Sequence, residues 1–176
     1  TPEQRFASKF SYLLASSTPP RELTESITDG ELDSFEEIRN EVQAQFQSGK
    51  ADAFLRAFPF TWLELNDINF MAPDPDYFKH YHRKLVSEDM LEEVLRFFRH
   101  AAKENLPLPA LLSSDYSFIN ADLAKIYGIE DGPKSSTFER YVFADRRRGG
   151  LLGMGAFLTS TADSLGTSPI HRAIYV

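Results

Sequence analysis

Hydrophobic residues recur at helical spacing through most of the first 130 positions of the chain. Phe6, Phe10, Leu13 and Leu14 stand at i, i+4, i+7 and i+8, which predicts a helix over residues 2–16. Apolar stripes of the same kind predict further helices over residues 21–29, 35–48, 52–65, 77–105 and 120–127. The pattern therefore predicts a mainly α-helical fold.

Several helix ends are marked by residues with known capping chemistry. Ser34 and Glu37 have the spacing of a capping box, in which each side chain bonds the other residue's backbone amide. Asn120 is placed to cap a compact helix, and Ser168-Pro169 predicts a helix that starts with proline in its first turn. Pro59 lies inside the fourth apolar stripe, so we predict a kink or a break there.

The pattern changes after residue 132. Residues 138–143 are rich in aromatic and branched side chains, which predicts a short strand, and the following stretch is rich in glycine. We therefore predict an irregular multi-helix bundle whose less regular C-terminal part holds a short β element. The predicted organisation is a helical domain over 1–132 and, over 133–176, a Gly-rich segment with the start of a further helix, packed on the same core.

The composition is that of a globular domain with many aromatic side chains. A chain of 176 residues with 42% hydrophobic and 26% charged residues is able to bury a core of its own. It contains 15 Phe, 7 Tyr and 1 Trp, and such side chains bury a large area each. We therefore expect an aromatic-rich core dominated by Phe.

Charge and cysteine content narrow the range of partners. The formal net charge is -7, and a negative domain repels a phosphate backbone, so we expect no nucleic-acid partner. Without cysteine, the chain has no disulfide, no thiolate metal site and no Cys-x-x-Cys-His attachment of haem c. No apolar run approaches the roughly 18 residues that a membrane span needs, so we predict no membrane span.

The histidines and the acidic loop are candidates for metal binding. For His80, His82, His100 and His171 we favour surface or capping roles, with metal or haem axial ligation as the alternative. The loop over 66–76 carries three aspartates, but it fails the EF-hand template because position twelve is not Glu. We interpret its carboxylates as solvated, with a calcium site as the alternative.

Two further groups suggest anion binding or nucleophilic chemistry. Arg146-Arg147-Arg148 followed by Gly149-Gly150 resembles an anion cradle. We favour a structural role for it, such as pairing with the acidic surplus, with a partner-docking patch as the alternative. Ser160, Ser164 and Ser168 stand near His171, but none lies in a Gly-x-Ser-x-Gly elbow. Helix capping accounts for Ser168, so we predict no hydrolase site.

Six stretches of the sequence form an ordered set: Phe10–Leu14, Phe58–Leu65, Met90–Phe98, Asp115–Ile129, Arg148–Leu152 and Thr167–Arg172. In this order they resemble one family, the planctomycete PSD-type domain of unknown function, found in large proteins beside planctomycete-type cytochrome c modules. In that family the last stretch leads into a segment that bears the haem attachment motif. The sequence departs from the family pattern at Gly166, Ala173 and Tyr175.

The resemblance implies a non-catalytic scaffold or docking domain of a larger exported protein, periplasmic or extracellular, that contains cytochrome c and takes part in electron transfer. It implies haem c in neighbouring segments, an adjacent cytochrome c-like domain as partner, and an end of this chain just before the haem-binding segment. The expected docking residues are Arg146, Arg148, Gly149, Gly150, Ser168, His171 and Arg172.

Two alternative functions stay open at this point. One is an extracellular polysaccharide-binding module, in which Trp62 and exposed rings stack on sugars; a buried Trp62 would disfavour it. The other is a metal-dependent enzyme domain that uses the acidic loop or the histidines.

Overall fold

The computed structural model describes residues 1–70, 73–83, 86–144, 148–162, 166 and 168–174. Within these residues the chain forms ten α-helices and a single two-stranded sheet, which confirms the predicted fold class. It divides into two units, one of residues 1–58 with 102–105 and the other of residues 59–101 with 106–176. The predicted division at residue 132 stays a prediction.

The first unit consists of three helices and the beginning of a fourth: α1 (Pro2–Ala15), α2 (Arg21–Thr28), α3 (Phe35–Ser48) and α4 (Asp52–Trp62). The Ser34 hydroxyl accepts from the Glu37 amide at 3.2 Å, and Glu37 Oε2 accepts from the Ser34 amide at 2.9 Å, which confirms the capping box. The apolar core of the unit is formed by Ala7, Phe10, Leu14, Leu23, Ile27 and Ala51.

Helix α4 continues through Pro59 as one element, so the chain does not break there. Proline lacks the amide hydrogen that would bond to the preceding turn. The next turn is nevertheless closed, because the Leu63 amide donates to the Pro59 carbonyl at 3.0 Å.

The second unit contains the remaining elements, joined by turns. They are the end of α4, α5 (Lys79–Arg83), α6 (Val86–Lys103, which belongs to this unit up to residue 101), α7 (Leu108–Ser113), β1 (Tyr116–Ile119), α8 (Ala121–Ile126), β2 (Glu139–Val142), α9 (Gly155–Ser160) and α10 (Pro169–Ala173). β1 and β2 pair antiparallel, with Tyr116 opposite Val142 and Ile119 opposite Glu139. The predicted strand near 138–143 is therefore confirmed, whereas β1 and α9 were not expected from the sequence.

Aromatic and aliphatic side chains share the core. Five of the 15 Phe are buried, whereas Phe35 and Phe70 are 82% and 86% exposed. The largest fully buried side chains include more aliphatic residues than Phe: Leu55, Leu63, Leu65, Ile68, Ile119, Leu123 and Leu151, against Phe97 and Phe157. Phe therefore does not dominate the core.

Candidate functional site

A buried carboxyl group lies at the centre of the second unit. Glu93, on α6, is only 1% exposed. The Ser117 hydroxyl donates to Glu93 Oε1 at 2.7 Å, and the Tyr127 hydroxyl donates to Glu93 Oε2. Arg148 lies close enough for its positive charge to lower the pKa of Glu93 and that of Tyr127. We call Glu93, Ser117, Tyr127 and Arg148 the Glu93 cluster.

Local structure brings these side chains together from three elements and a turn. On α6, Met90, Val94 and Phe97 are buried at helical spacing, and Glu93 falls inside that apolar face. On β1, Ser117 is 1% exposed. Tyr127 directly follows α8, which begins where Asn120 Oδ1 accepts from an amide of its first turn at 3.0 Å.

Helix α8 ends at a glycine in the left-handed conformation. Gly128 has a φ of 69°, and the Ile129 amide donates to the Ala124 carbonyl at 2.9 Å, as in a Schellman ending. This ending fixes the direction in which the chain leaves Tyr127, and so helps to hold its ring in place.

Tyr127 also binds the start of α9. The Gly155 amide donates to the Tyr127 hydroxyl oxygen at 2.9 Å, so this hydroxyl both donates and accepts. A Cβ at Gly155 would lie 2.7 Å from that oxygen and 2.8 Å from the Met90 methyl carbon, too close for a side chain. The absence of a side chain at Gly155 is therefore what allows α9 to approach the cluster.

The Arg148 guanidinium carbon lies 4.2 Å from the centroid of the Tyr127 ring, a cation–π geometry. The following Gly149 and Gly150 have φ values of 132° and 65°. A Cβ at Gly149 would overlap the Ser114 carbonyl oxygen, and one at Gly150 would overlap the Leu112 carbonyl oxygen. The two glycines thus let this turn pack against the end of α7.

The electrostatics of the cluster follow from burial. Removal from water raises the pKa of Glu93 to about 7, although the hydrogen bonds from Tyr127 and Ser117 and the charge of Arg148 act in the opposite direction. Burial and the neighbouring Glu93 raise the pKa of Tyr127. A carboxyl with such a pKa is able to transfer protons near neutral pH, but a side chain that is 1% exposed offers no face to a substrate.

The remaining predicted site residues lie on α10. The Ser168 hydroxyl accepts from the His171 amide at 3.4 Å, which confirms the predicted N-cap. His171 is exposed and Arg172 is partly buried. In the described part of the chain, no hydrogen bond joins Arg148 to Ser168, His171 or Arg172, and their grouping as one docking site stays a prediction. Outside the described residues lie Arg146, Arg147, Ser164, Thr167 and Tyr175.

The other histidines contact neighbouring residues. His80 Nε2 lies 3.2 Å from Asp122 Oδ1, and a ring nitrogen of His82 lies 2.6 Å from the Pro73 carbonyl oxygen. The His100 ring packs edge-on against the ring of Tyr116, at a centroid distance of 5.7 Å. These contacts agree with structural roles for the three side chains.

The acidic loop over 66–76 was a candidate for metal binding, and Trp62 was a candidate for stacking on sugars. Asp74 Oδ1 accepts from the Asp76 amide at 2.8 Å, which closes a turn of the loop. No three His, Asp or Glu side chains of the described residues are close enough to hold a metal ion together. Trp62 is only partly buried, so the burial that would disfavour sugar binding is not reached, and the polysaccharide-binding alternative stays a prediction.

Two further observations concern other parts of the chain. No helix in the described ranges is long and apolar enough to cross a membrane. A cavity of about 680 Å³ lies in the first unit, and none of the predicted docking residues lines it.

The sequence contained a signal for Glu93 that motif reasoning overlooked. An ionisable residue stands between Met90, Val94 and Phe97 on the apolar side of a helix, where a charged group is costly unless it has partners. Ser117 and Tyr127 gave no comparable signal, because hydroxyl groups occur at many positions without any chemical role.

Comparison with known proteins gives one result. No curated protein and no solved structure matches the chain. A family profile described as PSD4, protein of unknown function (DUF1592), matches residues 2–129, which include Glu93, Ser117 and Tyr127. The match covers well over half of the chain, and the chain therefore belongs to the PSD4 family of proteins of unknown function (DUF1592).

Proposed function

We propose that this chain is a non-catalytic scaffold or docking domain of a larger exported protein that carries cytochrome c segments and takes part in electron transfer. The observation that carries the proposal is the Glu93 cluster, whose carboxyl group is buried and hydrogen-bonded at both oxygens. Three of the six stretches that resemble the planctomycete domain supply its members: Met90–Phe98 gives Glu93, Asp115–Ile129 gives Ser117 and Tyr127, and Arg148–Leu152 gives Arg148.

The polar atoms of the cluster bond to one another. Each oxygen of Glu93 accepts from a hydroxyl group, and the Tyr127 hydroxyl also accepts from a backbone amide. A reactive site needs groups that point to a space where a substrate fits. The hydrogen bonds of the cluster instead tie α6, β1, the end of α8 and the start of α9 together, which is what a scaffold requires.

The proposed docking surface is the apolar side of α10. Ile170 and Ile174 stand at i and i+4 and are 79% and 76% exposed. In the resembled family, the helix that corresponds to Ser168–Arg172 leads directly into the haem-bearing segment. We infer that the two isoleucines pack against that segment, and that Arg148, Gly149 and Gly150 shape the region from which it starts.

The test uses the longer parent protein with its haem-bearing segments. The visible spectrum and the midpoint potential of the haem are recorded for the whole protein and for a version without this domain. The proposal predicts that removal changes both, because a docked domain shields one side of the haem segment from water. An unchanged spectrum together with an unchanged potential would contradict docking.

A pair of point variants in the parent separates docking from loss of fold. Ile170→Glu places a charge on the proposed surface, whereas Leu108→Glu places one on α7 at a residue that is equally exposed, 76%. Both side chains face water in this domain, so neither change should unfold it. We expect Ile170→Glu to shift the haem potential and Leu108→Glu to leave it unchanged; equal shifts in the two variants would refute the assignment of the surface to α10.

A further inference from the structure

The first unit contains a cleft that the scaffold proposal does not use. It lies between α1, α2 and α3, and its volume of about 680 Å³ falls within the range of small-molecule sites. Every residue of this unit, 1–58 and 102–105, belongs to the described part of the chain.

Two buried polar side chains line this cleft. Ser11, on α1, is 3% exposed, and its hydroxyl has no hydrogen-bond partner within the fully described first unit. Gln45, on α3, is 7% exposed, and its Nε2 donates to Glu41 Oε1 at 3.0 Å. Since a carboxylate only accepts, the amide nitrogen must face Glu41, which leaves Gln45 Oε1 as a spare acceptor. Neither atom is completely enclosed, so a ligand that enters the cleft is able to bond to both of them.

Charge selects the class of ligand. Three carboxylates, Glu22, Glu31 and Glu41, line the cleft, against a single ammonium group, that of Lys50. A cation with several N–H donors complements such a wall, because ionised donors form stronger hydrogen bonds with carboxylates than neutral donors do. The three carboxylates do not form a compact metal site, since no three acidic or His side chains of the described residues are close enough to hold one ion.

Apolar groups complete the lining. Leu23, on α2, and Leu32, which follows α2, both contribute to the walls beside the carboxylates. Methylene groups pack well on such side chains, whereas a strongly hydrated inorganic ion gains nothing from them. The cleft therefore combines acceptors for ammonium groups with surface for a hydrocarbon chain.

We propose that this cleft binds an aliphatic polyamine. Its ammonium groups donate to Glu22, Glu41, the Ser11 hydroxyl and Gln45 Oε1, and its methylene chain lies on Leu23 and Leu32. The proposal is independent of the role assigned to the second unit, since it uses residues of the first unit alone.

The test is isothermal titration of the 176-residue chain with spermidine at low ionic strength. We expect saturable binding of one spermidine per chain. Replacing both Glu22 and Glu41 with Gln removes two charges and should weaken the binding at least about tenfold. The matched control is Glu36→Gln, which removes a charge from α3 at an exposed residue outside the cleft and should change the Kd less than about twofold.

A further variant, Ser11→Ala, tests the buried wall without changing charge and should also weaken binding. Circular dichroism of each variant verifies that the helices are intact. The proposal is overturned if spermidine does not saturate the chain at millimolar concentration, or if Glu36→Gln weakens binding as much as the double variant. It is also overturned if Mg²⁺ at equal charge concentration displaces spermidine fully, or if a neutral disaccharide binds in its place.

Discussion

Replacing Glu93 with Gln should remove most of the pH dependence that burial of this carboxyl gives to the stability of the second unit. Glutamine has the shape of the protonated side chain and retains a carbonyl oxygen for the Ser117 or Tyr127 hydroxyl. It never ionises. The variant therefore represents the neutral form of the cluster at every pH.

The magnitude follows from the pKa of Glu93. It is raised from 4.5 to about 7 in the folded protein, so between these values the folded state holds a proton that the unfolded state has released. The stabilising contribution is fully present below pH 4.5 and is lost as the pH rises through 7. At 1.36 kcal/mol per pKa unit, the total loss is roughly 3 kcal/mol, most of it between pH 5 and 8.

The assay is urea unfolding at pH 5, 6, 7 and 8, followed by the fluorescence of Trp62, the single tryptophan, which lies in the same unit as Glu93. We expect Glu93→Gln to be as stable as the wild type at pH 5 and more stable at pH 8. Burial also raises the pKa of Asp89, so the stability of Glu93→Gln should still fall with rising pH, but less than that of the wild type. The exposed Glu130→Gln is the control. An undiminished pH slope in Glu93→Gln would refute the reasoning.

Three further substitutions test other parts of the structure. Tyr127→Phe should lower the free energy of unfolding by about 1–3 kcal/mol in urea titrations at pH 6, because one backbone amide and Glu93 lose a partner; an unchanged midpoint would contradict this. Gly149→Ala should lower the free energy of unfolding by at least about 2 kcal/mol, since its Cβ would overlap a backbone oxygen. Gly49 has open space around it, so Gly49→Ala should lower it by only about 1 kcal/mol. Equal losses in the two variants would count against the packing described for Gly149. Ser34→Ala should cost about 1 kcal/mol in thermal unfolding followed by circular dichroism, and a loss near zero would mean that the cap is unimportant.

The helices could be predicted because their signals are local. The apolar stripe of α1, the capping box at Ser34 and the Asn120 cap each depend on residues within a few positions of one another. Of the predicted kink or break at Pro59, the break did not occur, because the hydrogen bonds of the following turn continue the helix, and the kink stays a prediction.

The parts that could not be predicted depend on contacts between distant segments. β1 spans only four residues, and it is defined by pairing with a strand some twenty positions later. The glycine-rich sequence around Gly149 and Gly150 predicted a conformationally loose stretch. In the structure, the backbone at the end of α7 and just after it packs against both glycines. Motif reasoning found the stretches that contain Glu93, Ser117 and Tyr127, but only the fold shows that these side chains meet.

In the folded protein the Glu93 carboxyl is buried, and its hydrogen bonds join α6 to β1 and to the end of α8. Labelling with a water-soluble carbodiimide and an amine at pH 6, followed by mass spectrometry of the peptides, measures this directly, because the reagent prefers protonated carboxyl groups that it can reach. We predict that the exposed Glu88 and Glu130 are labelled while Glu93 stays unmodified until the protein is unfolded in urea. Labelling of Glu93 in the folded protein at the rate of the exposed glutamates would contradict the claim.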